Sequence, residues 1–319
     1  MQQIKNFRHH YSKFEKRDFP FIYLLIALPV LQFAVFWIYV NISSIMLTFQ
    51  NPDGEFTFAN IKAVFRAFNS IDRYGLDLSR SLKNSIKIWT LGFFVTFPLS
   101  VITTYVLQRR IIGHYVWRIC YIIPGLLGSV IWINLVKYMF AYDGIVVELL
   151  IKMGVELPEK VLLGGLLNAE ETAMSSVILL NFIMGLAGNN VVLTGAFSRI
   201  PEELYESAAL DGAGFWTECF RIGIPCVWST IAMLLTFKLT GIFTADNGVF
   251  LYTNGTGEPG MSTVGFHLYF MQYKISLTGA GRASFGYPAA LGFVLTMMTM
   301  PIVLIGRRLL ENAQEAVEL

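Results

Sequence analysis

Charge is scarce in this chain. Only 14% of its 319 residues are Asp, Glu, Lys or Arg, against about a quarter in an ordinary soluble domain. With 55% hydrophobic residues and a mean hydropathy of +0.56, the deficit points to a membrane protein. Net charge is only +2, so no bulk electrostatic field argues for nucleic acid. Cysteine is confined to Cys120, Cys219 and Cys226, none in a paired spacing, and no disulfide frame or metal site is read from them. His9, His10, His114 and His267 are scattered and read as surface or interface residues. No Gly-x4-Gly-Lys-Ser/Thr phosphate loop occurs anywhere. The letters of Gly255 to Gly260 fit GxGxxG, but no strand precedes them and Pro259 sits inside. They read as an exposed turn, and Asn254-Gly255-Thr256 is a glycosylation sequon by letter alone. No Ser/His, His/Asp/Glu or metal constellation supports an enzyme, and no internal repeat is visible.

Long apolar runs are what the chain has. A spanning helix needs about 20 mostly apolar residues. Six runs qualify, giving an all-α membrane protein with transmembrane helices at about 19–45, 86–108, 117–140, 172–198, 223–245 and 283–306. The first is too long for a signal-peptide core and has no small-residue cleavage site behind it, so it is a retained span. Residues 1–18 form a polar, basic tail, 19–80 the first helix with its outer loop, and 307–319 a short tail. Within residues 50–81, Asn60 is placed to cap a short helix with Ile61, Val64, Phe65 and Phe68 on one face. That helix reads equally as lying on the membrane surface or as a small packed element of an outer loop.

Orientation follows from positive charge in the short loops. With both termini in the cytosol, the inner side holds twelve basic residues: Lys5, Arg8, Lys13, Lys16, Arg17, Arg109, Arg110, Arg118, Arg199, Arg221, Arg307 and Arg308. Eight fall outside: Lys62, Arg66, Arg73, Arg80, Lys152, Lys160, Lys274 and Arg282. The outer segments at 50–81, 141–171 and 246–284 are longer.

One polar interval stands out between the fourth and fifth runs. It reads Ile200-Pro201-Glu202-Glu203-Leu204-Tyr205-Glu206-Ser207-Ala208-Ala209-Leu210-Asp211-Gly212-Ala213, and Ile222-Gly223-Ile224-Pro225 follows. Pro201 suits a first helical position. Glu202 and Glu203 suit a first turn, where the helix dipole favours negative charge. Gly212 stands where a helix should stop, and Gly214 loosens the chain again. Leu204, Tyr205, Ala208 and Ala209 share one face, and the small Ser207, Ala208 and Ala209 admit close approach of another surface.

This interval resembles the cytoplasmic EAA loop of ABC importer permeases of the MetI-like family. The family pattern is Glu-Ala-Ala, two residues, Asp-Gly-Ala, eight residues, Ile-x-Leu-Pro. Here Glu206-Ser207-Ala208, Asp211-Gly212-Ala213 and Ile222-Gly223-Ile224-Pro225 keep the spacing, with Ser207 in place of Ala and Ile224 in place of Leu. The Ile200 to Tyr205 lead looks most like the carbohydrate-uptake branch. The resemblance covers roughly residues 80–305, and 81–306 is expected to be the permease domain.

The resemblance implies a cytosolic coupling helix that docks in a cleft of an ATPase. Glu206 would contact that partner, Ala208 would pack against it, with Ser207 between them in the coupling set, and Gly212 would allow the sharp turn between two short helices, oriented by Asp211. Ala213, Ile222 and Pro225 complete the element. The resemblance further implies two ATPase subunits that bind ATP and Mg, a second homologous permease, and an extracytoplasmic solute-binding protein docking on the outer loops. This chain would hold no cofactor and bind no nucleic acid. It would lie in the lipid bilayer of a bacterial or archaeal plasma membrane and move a small solute, a sugar or oligosaccharide.

Polar residues inside spans are costly and usually functional. Asn181, Asn189 and Asn190 in the fourth run, and Lys238, Thr240 and Asp246 in or beside the fifth, are therefore candidates for the translocation pathway. Lys238 reads equally as a pathway residue or as a partner for a carboxylate of a neighbouring subunit. Lys137 reads as snorkelling to the interface, and Trp132 and Tyr138 as aromatic residues of the membrane edge. An ion-gradient-driven transporter or channel is the rival class. It would carry buried acids or broken helices at the midplane, and no acid falls within the apolar runs.

Overall fold

The computed structural model describes residues 18–51, 53–68, 77–109, 113–253, 259–279 and 281–318. The basic tail with Lys5, Arg8, His9, His10, Lys13, Lys16 and Arg17 lies outside these, as do Arg73, Arg110, the 254–258 part of the glycine-rich turn and Leu319. Among the described residues the structure is helical, with a single isolated bridge between Gln50 and Phe56.

Helix α1 (Phe21–Thr48) carries no charged residue, and its membrane-length window has no buried residue. Its large apolar side chains point outward, with Leu28 75% exposed, which suits lipid as the surrounding solvent. Only its far end is gathered into the protein. There Asn60 Nδ2 donates to the carbonyls of Thr48 and Gln50 at 3.3 and 3.0 Å, satisfying groups that a helix end leaves open. Asn60 thus caps the end of α1, not the start of its own helix, α2 (Ala59–Ala67), whose N-cap is Phe58. In α2, Val64 and Ala67 are buried and join Ile61 and Phe68 against Ala290, Leu291 and Leu295. This is a packed element, with Phe65 alone of the expected face turned outward.

Helix α3 (Leu78–Gln108) begins well before residue 86. Asp77 caps it by accepting from Arg80 N at 3.1 Å. Leu78, Ser81, Asn84, Ser85 and Ile88 form its buried stripe, while Lys83 and Lys87, which shorten the apolar run, face away from it. A π turn, Gly92–Thr96, interrupts its middle.

The expected third span is not one helix. It divides into α4 (His114–Leu126) and α5 (Ser129–Phe140), because Leu127 and Gly128 take extended ψ values of 132° and 140°. The apolar stretch instead continues through α6 (Ile145–Lys152), and Val130–Lys152 is long and apolar enough to cross a membrane. The segment at 141–171, read as a polar outer loop, contains α6 and α7 (Glu159–Gly164) and buries Val147, Val161, Leu166, Leu167 and Ala169 in a core. Next come α8 (Glu170–Gly188) and α9 (Asn190–Phe197), which together have spanning length.

Helices α10 (Glu202–Leu210), α11 (Phe215–Cys226) and α12 (Trp228–Thr240) follow. The expected fifth span bends by 72° at the break between α11 and α12. The segment at 246–284 is no simple loop. It holds α13 (Val249–Tyr252) and α14 (Val264–Leu277), whose Val264, Phe266, His267, Phe270, Met271 and Ile275 are buried. Helix α15 (Gly286–Glu318) runs straight on through the residues expected to be a tail, and the carbonyl of Leu310 accepts from Trp228 Nε1 at 3.3 Å.

Among the described residues, five helices have the length and apolarity to cross a membrane, and six if the bent pair is one span. Three cores hold together the helices after α1. One joins α3, α5–α8, α13 and α14, the second joins α2, α3, α14 and α15, and the third gathers α3, α9, α10, α11 and α12. The third core seats the candidate site.

Candidate functional site

The interval between the fourth and fifth apolar runs folds into two helices joined by a defined stop. Pro201 has extended geometry (φ −59°, ψ 136°) and is the N-cap of α10, so the first helical residue is Glu202. The expectation for Pro201 is off by one position, with Glu202 and Glu203 in the first turn as anticipated. At the other end Gly212 N donates to Ala209 O at 3.1 Å and Ala213 N to Ala208 O at 2.9 Å. This pair of bonds is a Schellman motif, which needs a left-handed residue at Gly212, and its φ is +78°. Asp211-Gly212-Ala213 is therefore a mechanical stop written in sequence: glycine for the left-handed turn, and on the residue after it an N–H that bonds back to Ala208. Gly214 then caps α11, accepting from Glu218 N at 3.0 Å.

The unit is fastened to the rest of the chain by residues that its own sequence does not advertise. Arg109, at the end of α3, donates from Nη2 to Glu218 Oε2 of α11 at 2.6 Å. The Glu218 side chain is 8% exposed and that of Arg109 28%. The same guanidinium lies 4.1 Å from the ring centroid of Tyr205 in α10. One turn earlier in α3, Tyr105 is fully buried, with its ring 5.5 Å from both Phe197 and Phe215 and 6.5 Å from Tyr205. A Cβ on Gly223 would meet the Tyr105 ring at 2.7 Å, so α11 approaches α3 there at glycine distance. Burial pushes the Tyr205 hydroxyl above its ordinary pKa, against the pull of Arg109.

Tyr205 and Ala208 are the buried residues of α10. Leu204 and Ala209, expected on the same face, are exposed. A cleft of about 520 Å³ runs between α10 and α11, lined by Leu204, Ser207, Ala208, Asp211, Ile222 and Pro225 among others. Of the residues singled out in sequence it brings together Ser207, Ala208, Asp211, Ile222 and Pro225. Glu206, Gly212 and Ala213 lie outside the lining, Glu206 being exposed on α10. Leu210 stands 89% exposed at the helix end.

A second cavity, of about 330 Å³, lies within the helix bundle. Asn181 and Lys238 line it, with Trp89, Gly92, Phe93 and Thr96 from around the π turn of α3. Asn181 Nδ2 donates to Val177 O at 2.9 Å and to Asn247 O at 3.2 Å, and Trp89 Nε1 donates to Lys238 O at 2.8 Å. Gly185 also lines it, and a Cβ there would meet Thr96 Cγ2 at 2.7 Å. The other polar candidates are elsewhere. Asn189 is the joint between α8 and α9. Asn190 is buried, with Oδ1 accepting from Thr194 Oγ1 at 2.8 Å. Thr240 is exposed and bonds back to Phe237 O at 2.7 Å. Asp246 accepts from Phe250 N at 3.3 Å, and burial raises its carboxyl pKa against that bond. Asn247, Trp89 and Arg109 were not among the site residues read from the sequence. Only contacts across the fold reveal them, since Arg109 and Glu218 lie 109 positions apart.

Membrane-length helices around a largely apolar cavity that takes in Asn181 and Lys238, with a short helix–turn–helix pinned to one end, are the frame of a multi-spanning membrane protein. No family model matches the chain. It is 23% identical over 304 residues to the probable ABC transporter permease protein YurN of Bacillus subtilis strain 168, covering 94% of this chain and 99% of that one. It is 26% identical over 294 residues to the arabinooligosaccharides transport system permease protein AraP of the same organism, covering 90% and 87%. In structure it is similar to a crystal structure of a bacterial ABC transporter involved in the import of the acidic polysaccharide alginate. The TM-score is 0.73 at 21% identity, over 95% of this chain and 99% of that chain. A second structure, of the alginate transporter with an alginate pentasaccharide-bound periplasmic protein, matches with a TM-score of 0.71 at 22% identity, over 91% and 93%. The chain is thus similar over nearly its whole length to ABC transporter permeases, among them one of an arabinooligosaccharide transport system, in line with the resemblance at residues 200–225.

Proposed function

We propose that this chain is one transmembrane subunit of an ATP-driven importer, carrying a saccharide from an extracytoplasmic binding protein into the cytosol of a bacterium or archaeon. It performs no bond-breaking chemistry. ATP and Mg are held by two separate ATPase subunits, and a second homologous permease completes the pathway. Both termini and the α10–α11 unit face the cytosol, in keeping with the bias of basic residues. Residues 81–306 form the permease domain, with 1–18 and 307–319 as its cytosolic flanks and 19–80 as an added first helix and outer loop.

The observation that carries this reading is the helix–turn–helix itself, locked by its Schellman stop and pinned to α3. A stiff unit passes rigid-body motion between bistable states where a loose loop would absorb it. The ATPase docks on the exposed side of α10, where Glu206, Ser207 and Leu210 are presented. Ala208, nearly buried within the chain, lets that surface come close without supplying much of the contact itself. Solute passes by the Asn181 and Lys238 cavity. Breaks at Leu127–Gly128 and Val227 are of a kind that ion-coupled transporters use, but the end-to-end kinship with sugar-uptake permeases favours the importer. The test is reconstitution of the whole complex in proteoliposomes. Saccharide uptake that requires ATP and the binding protein supports the proposal. Uptake that follows an ion gradient without ATP refutes it.

A further inference from the structure

We infer that Arg109 is the transmission joint of the transporter, a positioning residue through which motion of the α10–α11 unit reaches the cavity-lining helix α3. The inference rests on the importer reading and assigns it a route. One guanidinium touches both helices of the unit, Glu218 on α11 by a 2.6 Å ion pair and Tyr205 on α10 by a ring contact at 4.1 Å. Its own backbone N–H closes the last turn of α3 on Tyr105 O at 3.1 Å. A displacement of either short helix therefore pulls on the end of α3. A cation also suits that helix terminus, where the dipole is negative.

Two routes lead from the unit to the cavity, and they differ in stiffness. Helix α12 carries Lys238 into the cavity but meets α11 across a 72° break at Val227. Helix α3 stays helical from Leu78 to Gln108, its π turn at Gly92–Thr96 included, and carries Trp89, Gly92, Phe93 and Thr96 into the same cavity. The unbroken route ends at Arg109. The joint is charged and half-buried, and a guanidinium fork holds a carboxylate and a ring face together as a lysine cannot. The ionic part of its strength lies in the complementarity of Arg109 and Glu218, so exchanging the two charges should restore that part.

The experiment uses the full complex in proteoliposomes and reads saccharide moved per ATP hydrolysed, with retention of the ATPase through purification as a second readout. Arg109→Glu and Glu218→Arg, each alone, should lower transport per ATP by about tenfold while the ATPase still co-purifies. The double exchange should return the ratio to within about threefold of the parent. Arg109→Lys should fall between. A merely structural role would cost protein yield and leave the ratio of the surviving complex unchanged, and that result overturns the inference. Singles at the parental ratio, or a double no better than the singles, overturn it too. If the parental complex itself shows no ATP-dependent transport, the importer reading fails, and this route with it.

Discussion

The two ends of α3 are fastened in different ways. At its start the tight bonds are neutral and largely buried, and the ion pair there, Arg80 with Glu170, is exposed. Ser81 Oγ meets Ser262 Oγ at 2.9 Å, Asn84 Nδ2 donates to Gly260 O and Ser262 O at 3.1 and 3.0 Å, and Ser85 Oγ accepts from Val264 N at 2.9 Å. Most of these bonds end on backbone, so the start of α3 is tied to the course of the chain before α14. At its finish the bond is ionic and between side chains, with aromatic rings around it. A buried network of side-chain-to-backbone bonds fixes one arrangement. A pair of side chains at a helix end can follow a moving partner. The first end is built as an anchor and the second as a joint.

Substitutions can break or sharpen this contrast. The largest effect belongs to Gly212→Pro beside the joint. Proline cannot take φ +78° and removes the N–H that donates to Ala209. Uptake should be abolished, while the protein is still found in the membrane fraction. Next is Asn84→Leu at the anchor, which leaves the buried carbonyl of Ser262 and the part-buried one of Gly260 without this donor. It should cost roughly 2–3 kcal/mol, read as a lower unfolding temperature in detergent, and no charge introduced opposite should restore it. Glu206→Lys lies on an exposed face of α10. Stability should change by no more than about 0.5 kcal/mol, while the ATPase is lost on purification and uptake falls with it. Arg80→Ala gives the smallest effect. The Arg80–Glu170 pair at the anchor end spans 3.0 Å, but its side chains are 46% and 55% exposed. Unfolding should shift by less than about 1 kcal/mol, with uptake unchanged.

How much of this was readable beforehand differs from element to element. Runs without charge located the membrane helices, because burying an unpaired charge in lipid is too costly to be common. The turn at Asp211-Gly212-Ala213 was readable because only glycine suits its left-handed position at no cost. The bends at Gly128 and Val227 were hidden inside continuous apolar runs, where composition carries no sign of direction. Helix α14 was missed because its segment is mixed in character, and its buried face is set by α3 and α15. The continuation of α15 past Arg307 was hidden by its charges, which pair along the helix at Arg307 and Glu311 instead of ending it. Of the six polar pathway candidates, the fold gathers only Asn181 and Lys238 into the cavity. Polarity inside a span marks cost, and helix capping or a turn meets that cost as well as a pathway does. The Arg109–Glu218 pair could not be read at all, since pairing across 109 positions depends on how α3 and α11 meet.

The most direct test places a cross-linker on α10. Cys120 and Cys226, both exposed, are first replaced by serine, and a single cysteine is then introduced by Leu210→Cys, at the side chain standing 89% clear of the protein. In membranes containing the complete transporter, a short thiol cross-linker should join this position to the ATPase, and an impermeant thiol reagent should reach it only from the cytosolic side. Labelling of Leu210→Cys from outside intact cells, or an ATPase that never joins it, would contradict the account.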